Sequence, residues 1–179
     1  MNQREGFSIL FRYLFLAIIS FPNLFLFYFI FTPLTVYLSY FILNLFYNAD
    51  LSYNIITIGN LPIEIISACV AGAAYYLLFI LNFSTPMKIK KRIYSIFFLI
   101  FSFLMLNIVR IVIFSILALN NFSYFDLAHA FLWYAGSTVL VAAIWFANIY
   151  IFKIDKIPVY SDFKRIIKDI PYKKRKSGK

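Results

Sequence analysis

Three side chains stand apart from the rest of this chain: its single cysteine, Cys69, its single histidine, His129, and Arg110. Arg110 is the only lysine or arginine between Ile93 and Phe152, set in the apolar run LNIVRIVIF. A guanidinium does not shed its charge by losing a proton, so in hydrocarbon it needs a partner or a function. Together the three types can carry out acyl transfer, in which a cysteine thiolate attacks a carbonyl and forms a thioester. Cationic neighbours favour the thiolate and offset the penalty of an apolar setting. The oxyanion of the tetrahedral intermediate could be stabilised by Arg110, and His129 could protonate the departing amine. Asn107, three residues before Arg110, shares its helix face. Its amide could orient the guanidinium, bind a substrate backbone or make an interhelical packing bond.

Each residue also has a plainer reading. A lone cysteine in an apolar helix commonly packs as a small hydrophobe. A lone histidine near a helix start commonly serves as an interfacial hydrogen-bonder. Arg110 could form a structural ion pair with Glu64 or Asp126, which border the same zone. On that alternative the chain is a non-enzymatic multi-pass scaffold or a small transporter subunit.

The elements that must position these residues follow from composition. Of 179 residues 63% are hydrophobic, 22% aromatic and only 13% charged, too little polar material to cover a soluble core. The expected fold is therefore all-α: a polytopic membrane helix bundle of about five segments, near 13–31, 33–47, 65–83, 93–119 and 127–151. The first two are separated at Thr32-Pro33, where proline offers a break. Residues 153–179 form a basic tail with room for a short interfacial helix. The N-terminal run is too long for a cleaved signal peptide and is expected in the mature chain. One cysteine excludes an intrachain disulfide. No internal repeat, glycine-rich phosphate loop or metal-ligand cluster is apparent, so neither cofactor nor metal is expected.

Charge distribution sets the expected orientation. The net charge of +10 does not point to nucleic acid, because ten of the 17 basic residues lie in the last 27 positions. Four more (Lys88, Lys90, Lys91 and Arg92) crowd one loop. Basic clusters flanking apolar spans read as cytoplasmic anchors and contacts to anionic lipid. Residues 48–64 and 120–126 carry no lysine or arginine and belong outside. Cys69 then lies about 6 Å, and His129 about 3 Å, below the outer ends of their spans. Arg110 lies about 25 Å along a span that crosses about 30 Å of hydrocarbon, and its long side chain can rise toward the outer interface. Three spans thus bring a thiol, a guanidinium and an imidazole to one level.

The blocks SACVAG (67–72), NIVRI (107–111) and LAHAF (127–131), in this order on three successive spans, resemble the archaeosortase/exosortase family of multi-pass membrane cysteine transpeptidases. The likeness covers about residues 55–150, with Asn-x-x-Arg-Ile the most specific motif. The small size is similar to the short pacearchaeosortase branch. The resemblance implies that Cys69 is the nucleophile, Arg110 the essential arginine and His129 the third catalytic residue. One departure concerns the cysteine block: the family commonly places a small polar residue and then glycine straight after the cysteine, whereas Val70 and Ala71 precede Gly72. The resemblance further implies substrates that are secreted proteins with a C-terminal sorting signal: a short motif, one membrane helix and a few basic residues. They would be cleaved at the outer face of the cell membrane and transferred to a lipid-linked acceptor.

Overall fold

The computed structural model describes Leu10, Phe11, Leu14, Ala17, Ile18 and residues 24–154. Residues 13, 15, 16 and 19–23 of the first expected segment, and the interfacial helix expected in the basic tail, lie outside the described residues. Within them the chain is mostly helical, with one small sheet.

Helix α1 spans Phe25–Phe46 without a charge, and its 22 residues amount to about 33 Å, enough for the hydrocarbon core. Pro33 lies inside it, so Thr32-Pro33 does not divide two segments as the sequence suggests. The energetics favour continuity. Proline in a helix interior costs about 3 kcal/mol, whereas breaking the helix in lipid strips several backbone groups of partners at several kcal/mol each.

Residues 48–64, read from sequence as a polar loop, form a three-stranded antiparallel sheet of order β1-β2-β3. Its strands are β1 (Ala49–Ser52), β2 (Ile55–Ile58) and β3 (Leu61–Glu64). The expectation of a purely α-helical chain is corrected accordingly. Gly59, at φ +59°, occupies the first position of the two-residue β2–β3 turn, where a positive φ is required. Ile56 and Ile58 are buried on one face of the sheet. Asn44 of α1 accepts the Ala49 N–H at 3.1 Å and ties the sheet to the helix end.

The chain re-enters the bundle through a single helical turn, α2 (Ser67–Val70), and continues as α3 (Gly72–Ser84). Ala71 between them is left-handed, with φ 58°. Gly72 is the residue that lets α1 approach: a Cβ there would lie 2.8 Å from the Tyr28 ring. Deeper in the bundle Tyr75 stacks on Phe31 at 3.7 Å and meets Phe103 edge-on at 4.7 Å, joining α1, α3 and α4.

Helix α4 (Ile89–Leu119) is followed by α5 (Phe125–Phe131), a π-helical turn (Leu132–Gly136) and α6 (Ser137–Phe152). Phe25–Phe46, Ser67–Ser84 and Ile89–Leu119 are long and apolar enough to cross a membrane, and Ser137–Phe152 is a shorter apolar helix. The two ends of the bundle differ in charge as their loops do. The base-free β3 strand and Phe125, the first residue of α5 after a base-free turn, border one cavity. At the other end Lys91 Nζ donates to Lys153 O at 2.8 Å, joining the basic loop to the start of the tail.

Candidate active site

That cavity, of about 310 Å³, lies between β3, α2, α4 and α5. Cys69, Arg110 and His129 all line it, together with Glu64, Ile111 and Phe114. Three residues drawn from three separate elements therefore meet in one space.

Cys69 is half-buried on the single-turn helix α2. So short a helix cannot hold itself rigid, because nucleating one turn is unfavourable. It is pinned from outside: Asn107 Nδ2, buried on α4, donates to the Cys69 carbonyl at 2.8 Å. Of the sequence readings of Asn107, the interhelical bond is the one observed. It fixes the backbone that carries the thiol.

Arg110 stands three residues further along α4, about one turn, and its Nη1 donates to Ser137 Oγ at 2.9 Å. Its guanidinium lies within electrostatic reach of the Cys69 thiol. Among the described residues no carboxylate bonds it, so the ion pair with Glu64 or Asp126 is not formed. Glu64 instead accepts from Asn54 Nδ2 at 3.3 Å, and Asp126 sits in the first turn of α5.

The His129 ring is held between two phenylalanines. Phe125 stacks on it at 5.7 Å, and Phe114 of α4 meets it edge-on at 5.2 Å. Such contacts fix the plane of the ring at the cavity wall.

Ser137 was not singled out in the sequence, and the π turn explains why. Eight residues at 3.6 per turn would leave His129 and Ser137 about 80° apart around a straight helix. Counting the π turn as one inserted residue leaves about 20°, so both side chains face the same way. Gly136 lies inside the turn, and a Cβ there would lie 2.7 Å from Leu132 Cδ2, so the Leu132 side chain occupies the space that glycine leaves. The glycine beside Ser137 was the only available hint.

Among the described residues no group of three or more His, Cys, Asp or Glu side chains is placed to hold a metal ion. The chemistry the cavity offers is that of a nucleophilic thiol, a cationic hydrogen-bond fork and an imidazole. No family model matches the chain, and no curated protein or solved structure does.

Proposed function

We propose that this protein is a membrane-embedded cysteine transpeptidase that cleaves C-terminal sorting signals of secreted proteins and transfers them to a lipid-linked acceptor. The observation that carries the proposal is the meeting of Cys69, Arg110 and His129 in one cavity. The Cys69 thiolate attacks the scissile carbonyl, and the new oxyanion faces the Arg110 guanidinium. The C–N bond then breaks as His129 gives a proton to the leaving amine, leaving a thioester on Cys69. An acceptor nucleophile, its proton taken by His129, attacks that thioester and frees the thiol. A substrate anchored in the same bilayer by its own helix presents its scissile bond at a fixed depth, which removes much of the positioning entropy.

In this proposal the cavity faces outside and the basic loop and tail lie in the cytoplasm, as loop charge favours. The segments α1, α2–α3, α4 and α5–α6 each cross. The decisive experiment is a Cys69→Ala strain: uncleaved precursors of secreted proteins sharing one C-terminal tail pattern should accumulate. Normal maturation of every such protein would overturn the proposal. A membrane-impermeant maleimide added to intact cells should label Cys69; labelling only after lysis would reverse the orientation.

A further inference from the structure

Strand β3 borders the cavity with Leu61, Pro62, Ile63, Glu64 and Ile65 in unbroken succession. A strand that lined a cavity with one face would contribute every second residue. Five in a row mean that the backbone edge itself lies along the cavity. β3 is also the last strand of the sheet, paired on one side with β2.

Register tells which backbone groups point outward. Ile65 N–H donates to Asn54 O at 2.8 Å in the same register that pairs Ile63 with Ile56 and Leu61 with Ile58. Alternation along an antiparallel ladder therefore turns Leu61, Ile63 and Ile65 toward β2, and Pro62 and Glu64 away from it. The outer edge offers the Pro62 carbonyl, the Glu64 N–H and the Glu64 carbonyl, an accept–donate–accept row. Proline stands where the edge would otherwise carry a second outward N–H, a placement that limits unwanted pairing. Two outward residues sit about 7 Å apart, the spacing of alternate residues in another extended chain.

We infer that this edge is the substrate-binding strand: an extended polypeptide segment adds to β3 as a fourth strand and lies along the cavity toward Cys69. The inference rests on the transpeptidase reading and adds how its substrate is held. Main-chain bonds to Pro62 and Glu64 supply the grip, as in other strand additions, while an apolar substrate side chain fills the space beside Ile111 and Phe114. The cavity of about 310 Å³ accommodates the few residues around one scissile bond, not a helix. The segment bound is therefore the extended stretch before the membrane helix of the substrate.

The test compares two replacements of one residue. Glu64→Ala and Glu64→Pro both remove the carboxylate, but only Glu64→Pro removes the outward N–H without touching the β2 ladder. Processing of the precursors that accumulate in the Cys69→Ala strain should be at least tenfold slower with Glu64→Pro than with Glu64→Ala. Equal rates in the two variants would overturn the inference. Should Glu64→Pro fail to accumulate, the second arm decides. A photo-crosslinking residue at Pro62, in a Cys69→Ala background, should capture the same precursors, and one at Ser52 on the opposite strand should not. Capture from neither site, or equally from both, would overturn the inference. If Cys69→Ala blocks nothing, it is the transpeptidase reading that fails, so the two failures are distinct.

Discussion

Helix α4 carries two partly buried arginines, Arg92 and Arg110, and they are held in opposite ways. Arg92 donates to the Asn82 carbonyl at 2.8 Å and the Thr85 carbonyl at 3.0 Å, and its guanidinium lies 5.1 Å from the centre of the Phe83 ring. Those carbonyls lie at the end of α3, where carbonyls outnumber backbone donors and carry partial negative charge; the Asn82 carbonyl also accepts the Thr85 N–H at 3.2 Å. Arg92 completes a helix. Arg110 bonds one neutral hydroxyl, that of Ser137, and borders a cavity beside a thiol. A fork of five donors answered by a single hydroxyl is poor compensation for bringing a guanidinium into an apolar bundle. The first arginine is answered within the fold; the second keeps most of its donors toward the cavity.

The polar residues around each arginine differ in the same sense. Near Arg92, Asn82 donates to Ser95 at 2.6 Å and Ser95 to Asn148 at 2.8 Å, a fully buried chain linking α3, α4 and α6. Near Arg110, the polar groups line open space. The largest effect should therefore come from Arg110→Lys. An ammonium keeps the charge but loses the planar fork, and losing one oxyanion donor costs about 3–4 kcal/mol. Precursor processing should fall at least a hundredfold while the protein still accumulates in the membrane, measured as precursor-to-product ratio per unit of enzyme. Arg92→Lys should do the reverse: less protein, with processing per molecule within about twofold, since a partly buried cation at a helix C-terminus contributes up to about 2 kcal/mol, and it does so to folding. Equal behaviour of the two variants would erase the distinction between the arginines.

How much of this was legible in the sequence varies with the physics of each signal. The level shared by Cys69, Arg110 and His129 could be read because apolar length and loop charge are one-dimensional quantities that convert directly to depth. The same reasoning failed at Pro33, where a local breaking tendency met a lipid-phase cost larger than itself. The sheet was missed because its polar residues, among them Asp50, Asn54, Asn60 and Glu64, suggested a loop, although Gly59-Asn60 between IITI and LPIE is a two-residue turn signal. Beyond the glycine beside it, Ser137 was not legible, because its direction depends on an inserted π turn that shifts the face of every later residue.

That turn sets up the second prediction. Ser137 is the residue that aims Arg110, so Ser137→Ala should leave the charge in place but its direction less defined. A hydrogen bond to a charged group contributes about 1.5–3 kcal/mol, and a half-buried pair stands at the lower end. Processing should fall about tenfold, less than with Arg110→Lys, and Ser137→Thr, which keeps the hydroxyl, should restore most of it. A Thr variant as slow as the Ala variant would indicate that shape at this position, not the bond to Arg110, sets the rate.

The smallest effect on turnover should come from the inner chain, through Ser95→Ala. Ser95 sits between Asn82 and Asn148, so removing its hydroxyl deletes two interhelical bonds at once. Such bonds average roughly 0.6 kcal/mol in membrane proteins, less than the cost of a buried polar group in hydrocarbon would suggest, because the unfolded chain in the bilayer also finds partners. The loss is thus about 1 kcal/mol, which for a chain of this size lowers the melting temperature by roughly 2–4 °C. Thermal unfolding of the detergent-solubilised protein should show that shift, with processing per folded molecule unchanged. A drop in processing as large as that of Ser137→Ala would mean that the buried chain at the Arg92 end communicates with the cavity through α4, the helix that carries Ser95, Asn107 and Arg110. In that case α4 would act as a single element, and the contrast between its two arginines would be one of position along a shared mechanism.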